Sequence, residues 1–163
     1  MVFIGIVTNK NNESSYRNEI SNKLGNNINL IFINENNIES FRNISFSTIL
    51  LCYDYSTIFK DTELIRKVVS NSKKFIVNTD IKSNYDILDS QNIDAITYGF
   101  NNKATITSSS NEDDVILCVQ RNIINMEEQI IEPQDIKIID NIDMVNVYEK
   151  IGLSILFLIY SKK

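Results

Sequence analysis

Five short apolar runs limit what this chain can fold into: VFIGIV at 2–7, NLIFI at 29–33, TILLCY at 48–53, FIV at 75–77 and AITY at 95–98. The first does not alternate apolar with polar, so both its faces must be covered, as in a parallel sheet packed between layers. Segments of helical spacing separate the runs. From Ser14 to Leu24, with Ser14 or Ser15 as cap, Tyr16, Ile20 and Leu24 recur every four residues, and Gly25 closes the pattern. Asp61 or Thr62 caps a second helix carrying Leu64, Ile65, Val68 and Val69, while a shorter one carries Tyr85, Ile87 and Leu88. Asn34 to Asn43 reads as a loop or short helical turn. Strand and helix alternating in this way predict an α/β fold: a mostly parallel sheet flanked by helices, Rossmann-like in three layers.

The pattern changes after Gly99. Ala104–Ser110 and Val115–Val119 read as antiparallel strands, and Ile123–Ile131 and Lys137–Ile139 as two more, with Pro133 marking an edge or turn. A small antiparallel sheet is therefore expected in the second half. A helix over Asp143–Tyr160 places Met144, Val147, Tyr148, Ile151 and Ile155 on one stripe and ends apolar all round. That end is either buried between layers or a surface for a protein partner or second copy; it is too short to span a bilayer. With 163 residues the chain suits one domain, divided into a β/α core over 1–100, a small antiparallel sheet over 101–139 and a C-terminal helix over 143–160.

Several function classes are excluded by composition. There is no histidine, which removes Ser-His-Asp and Cys-His catalysis and histidine metal sites. A net charge of −5 without a Lys/Arg cluster argues against nucleic-acid binding. Cys52 and Cys118 each lie in an apolar run, as buried reduced thiols of a cytoplasmic protein do. The apolar N-terminus is too short and lacks the basic start of a signal peptide. Neither Glu112-Asp113-Asp114, a solvated turn, nor Glu127-Glu128, a solvated strand end, is spaced for acid/base work.

Polar residues at strand ends are the candidate ligand contacts. Thr8, Asn9 and Lys10 follow the first strand, where a strand, loop and helix start can face a phosphate. The loop has no Gly-Lys-Ser/Thr and reads equally as an ordinary polar turn. Asp54 follows the third strand and reads as a turn or helix-cap residue. Asn78 and Asp80, within NTD after FIV, are placed to meet a base or ribose; Asn78 serves equally as a strand-end turn residue and Asp80 as the cap of the Lys82–Leu88 helix. Tyr98 reads as core or wall packing.

The order of KKFIVNTD, DAITYGF, NNKATITSSS and DNIDMVNVYEKIG resembles the central ATP-binding domain of the Mur ligases, with Asn78, Asp80, Tyr98, Gly99, Phe100, Asn146, Val147 and Tyr148 at matching places. The resemblance covers nearly the whole chain and implies that fold. It also implies ATP and magnesium, with Asp54 nearest in position to the family's acidic magnesium ligand, yet the family's phosphate lysine falls on Asn11 or Asn12, its glycines and histidine are missing, and the flanking ligase domains are absent. The expectation is a non-catalytic binding or regulatory relative with no cofactor. The alternative is an ATP-dependent amide ligase fragment or subunit with an altered phosphate loop.

Overall fold

The computed structural model describes residues 1–8, 11–89, 92–110, 114–138, 141–144 and 146–162. The fold is α/β, with a mostly parallel eight-stranded sheet between two layers and a separate two-stranded antiparallel sheet. Five strands coincide with the five apolar runs: β1 (Val2–Val7), β2 (Ile28–Ile33), β3 (Thr48–Leu51), β4 (Lys74–Asn78) and β5 (Ala95–Gly99). They are joined by α1 (Glu13–Leu24), a 3-10 turn (Ile38–Phe41), α2 (Tyr55–Ile58), α3 (Thr62–Ser70) and α4 (Lys82–Leu88). After β6 (Ile106–Ser110), β7 (Val115–Val119), β8 (Ile123–Ile124), β9 (Ile130–Ile131) and β10 (Gln134–Ile138), the chain ends in α5 (Val147–Tyr160).

Strand order in the sheet is β10-β7-β6-β5-β4-β3-β1-β2. All pairs from β2 to β6 are parallel; β7 is antiparallel to both β6 and β10. The chain thus starts inside the sheet, adds β2 on one side and turns back for β3 to β5. Alternate residues of each strand point to opposite cores, which is why these runs do not alternate in polarity. Ile4, Ile6, Leu50 and Ile76 pack with Tyr16 and Ile20 of α1 and with α5; Val7, Ile49, Leu51, Phe75 and Val77 pack with Ile65, Val68 and Val69 of α3.

The small antiparallel sheet expected in the second half is present as β8–β9, and β6 and β7 are antiparallel as expected. Other expectations are corrected. Strands β6, β7 and β10 belong to the main sheet, because β6 pairs in parallel with β5 through Tyr98 and Gly99. The expected strand over Ile123–Ile131 is the hairpin β8–β9, folded because Asn125 Oδ1 accepts the amides of Glu127 and Gln129 and Glu128 adopts φ 61°. Glu127-Glu128 therefore lies in a turn rather than at a strand end. Helix α1 begins at Glu13 without a side-chain cap from Ser14 or Ser15. Pro133 immediately precedes the edge strand β10, where its missing N–H costs no ladder bond. Glu112 and Asp113 lie outside the described residues.

Helix α5 starts at Val147, four residues later than expected, capped by Asn146, whose side chain accepts the Tyr148 and Glu149 amides. Ile151 to Phe157 are all buried. The buried-helix reading is the one observed, with Leu158 and Tyr160 partly exposed at its end. Gly152 permits this depth, since a Cβ there would stand 2.9 Å from Cys52 Sγ, Leu50 Cδ1 and Tyr98 OH. Among the described residues no helix is long and apolar enough to cross a membrane.

Candidate functional site

In an open parallel sheet the carboxyl ends of the strands carry polar residues, because the chain leaves the core there through loops that must satisfy their own hydrogen bonds. Two polar constellations form at that end. The first lies where the chain order reverses, between β1 and β3. Thr8, buried at the end of β1, donates its hydroxyl to Asn12 Oδ1 at 2.7 Å. The Asn12 amide donates to Glu149 Oε2 at 2.6 Å, and Tyr53, just after β3, donates its hydroxyl to Glu149 Oε1. Glu149 is only 4% exposed, so these bonds keep an otherwise costly buried carboxylate solvated by protein.

Behind this seam the phenol of Tyr16 donates to Cys52 Sγ at 3.7 Å, and Tyr98 OH donates to the Tyr148 carbonyl at 2.9 Å. Burial pushes the Cys52 thiol up to about 12, against the lowering effect of Tyr98 and Tyr16. Burial likewise raises Tyr16, Tyr53 and Tyr98, and Glu149 adds to it at Tyr53. A thiol held protonated is a poor nucleophile. The first constellation is a closed, internally satisfied network tying α1, β3 and α5 together.

The second constellation is open. A groove of about 890 Å³ runs along the ends of β4 and β5, with Thr79, Asp80 and Tyr148 among its lining residues. One wall is the face of α4 that carries Lys82, Tyr85, Asp86 and Asp89, spaced i, i+3, i+4 and i+7 so that they share one side. The other wall is the turn Asn101-Asn102-Lys103. Tyr148 stands edge-on to Phe100, with ring centroids 5.6 Å apart.

Asp80 is the keystone of this groove. Its Oδ2 accepts the Phe100 amide at 2.8 Å and the Tyr148 hydroxyl at 2.9 Å; its Oδ1 accepts the Asn101 amide at 3.2 Å and side chain at 2.6 Å. Burial alone would raise this carboxyl, but the bonds from Phe100, Asn101 and Tyr148 outweigh it and hold it below the usual carboxylate value. The same contact, after burial, raises Tyr148. Gly99 makes room: at φ 159° it lacks a Cβ that would otherwise fall inside the Asp80 carboxylate.

The sequence-derived site residues therefore separate. Asp80 is in the groove but does not cap α4, whose N-cap is Ile81 with no side-chain bond. Asn78 is buried beneath, donating to the Cys52 carbonyl at 3.0 Å and accepting the Asp80 amide at 3.1 Å. Asp54 caps α2, accepting the amide and hydroxyl of Ser56 and the hydroxyl of Ser83 at 2.6 Å. Those bonds overcome burial and lower its carboxyl. Thr8 belongs to the closed network; Asn9 and Lys10 lie outside the described residues. Among the described residues no three or more acidic or thiol side chains gather as a metal site.

Sequence reasoning missed Tyr53, Glu149, Tyr85 and the α4 carboxylates. For Glu149 the signal was a charge inside an apolar helical stripe; for α4 it was the Lys-Tyr-Asp-Asp spacing on its polar side. No protein-family model matches the chain, and no curated protein matches it.

Proposed function

We propose that the protein is a small-molecule binding module, not an enzyme, and that its ligand occupies the groove between α4 and the 101–103 turn. The groove itself carries this reading: its volume falls within the usual range for ligand sites, and it offers two tyrosines, two lysines and several amide and hydroxyl groups at strand ends where such ligands bind. Support for a non-catalytic role comes from the neighbouring polar groups. Thr8, Asn12, Tyr53 and Glu149 are engaged with one another, and the buried thiol is held neutral. The two free cysteines suit a cytoplasmic setting.

The alternative is the ATP-dependent ligase subunit implied by the Mur-like motifs. It requires the polyphosphate of Mg-ATP, a net dianion, to bind, whereas the groove sets the carboxylates of Asp80, Asp86 and Asp89 against the ammoniums of Lys82 and Lys103. A thermal-shift screen of the purified chain against metabolites, with Mg-ATP and Mg-ADP included, tests both. A hit that Tyr85→Ala abolishes supports the binding module. Mg-ATP hydrolysis, or binding of Mg-ATP unaffected by Tyr85→Ala, contradicts it.

A further inference from the structure

The groove is electrically asymmetric. Lys82 is the first residue of α4 and Asp89 follows its last, so at 1.5 Å per residue they are about 10 Å apart along the axis. Asn101 is bonded to Asp80, two residues before Lys82, so the 101–103 turn with Lys103 stands at the Lys82 end. Two ammonium groups thus mark one end, and the exposed carboxylates of Asp86 and Asp89 lie about 6 and 10 Å along the axis from Lys82, beyond Tyr85 on the same face. Asp80 keeps its negative charge at that end, so the two ammoniums outweigh it by one, while Asp86 and Asp89 leave the other end with two carboxylates.

Resting on the binding reading above, we infer that the groove takes a short zwitterionic peptide of about three residues. Its carboxylate faces Lys82 and Lys103, and its ammonium faces Asp86 and Asp89. The length follows from the spacing, since an extended chain spans at most about 3.3 to 3.6 Å per residue and three residues reach about 10 Å. A free α-amino acid is too short to meet both ends, and an organic anion meets only one. The exposed side chain of Asn102 supplies a donor and an acceptor for the peptide groups between, and the ring of Tyr85 provides a face for a cation or apolar side chain.

The test is calorimetric titration with trialanine and with a mixed tripeptide library, each compared with its N-acetylated and C-amidated forms. Saturable binding of the free peptides that weakens at least about tenfold on either modification is expected, a factor typical of losing one well-placed charged contact. The double variant Asp86→Asn/Asp89→Asn, at exposed positions, removes the preference for a free N-terminus while leaving the C-terminal preference intact. Equal binding of free and blocked peptides, or a double variant that still discriminates free from N-acetylated peptides, overturns the inference. Absence of peptide binding alongside a metabolite hit that depends on Tyr85 overturns the peptide assignment alone. Absence of any binding overturns the groove reading with it.

Discussion

Replacing Asp80 by Asn removes one charge and keeps the shape, so it isolates what the carboxylate does at the ends of β4 and β5. If the amide keeps its oxygen toward Asn101, its NH2 group faces the Phe100 N–H and the Tyr148 hydroxyl. The hydroxyl can turn and accept; the Phe100 amide cannot, so one bond becomes a donor-donor contact. A charge-assisted hydrogen bond contributes about 1.5 to 3 kcal/mol. Because Asp80 is only part-buried, solvent screening reduces that, and the expected loss is about 2 kcal/mol. For a chain of this size that lowers Tm by about 4 to 8 °C.

Urea denaturation of both proteins, at neutral pH and in acid, measures the loss. The folded-state value of Asp80 lies below its unfolded one, so its stabilisation is complete above the ordinary carboxylate value and fades as pH falls through the folded one. The gap between native protein and variant must therefore narrow in acid. A difference under about 0.5 kcal/mol at neutral pH, within the range of ordinary surface changes, or a gap that does not narrow, refutes the keystone role.

Other perturbations follow from single contacts. Gly99→Ala drives a Cβ into the Asp80 carboxylate, so it destabilises and is strongly non-additive with Asp80→Asn in a double-mutant cycle of urea midpoints. Gly152→Ala improves helix propensity by about 1 kcal/mol. It nevertheless lowers the melting temperature, because overpacking against Cys52, Leu50 and Tyr98 costs about 1 to 3 kcal/mol and α5 has no room to withdraw. Toward a thiol reagent at pH 8, Cys118 reacts first and Cys52 only on unfolding, given its burial and a thiol value pushed up to about 12; Cys52 modification at native stability contradicts the closed network.

What the sequence made legible was decided by local physics. The unbroken apolar runs and the Asp61 cap, which accepts the Glu63 and Leu64 amides, carry their own explanation and are found in place. What it hid depends on partners far along the chain. Asp80 followed by a helix looks like a cap, and only the approach of Gly99, Asn101 and Tyr148, 19 to 68 residues away, turns it toward β5. Asn12 and Glu149 are separated by 137 residues and meet only because α5 packs back across the first strands. Likewise a strand pattern at 106–110 does not say whether β6 joins β5 or founds a new sheet.

The central claim is that the α4 groove is where this protein meets its ligand. Two-dimensional amide NMR of the labelled chain, titrated with a mixture of small polar and aromatic fragments, tests it without assuming what the ligand is. Shifted amides are expected to cluster over 79–89, 99–103 and around Tyr148. Shifts that gather instead at the Thr8–Asn12–Glu149 network, or that gather nowhere, contradict it.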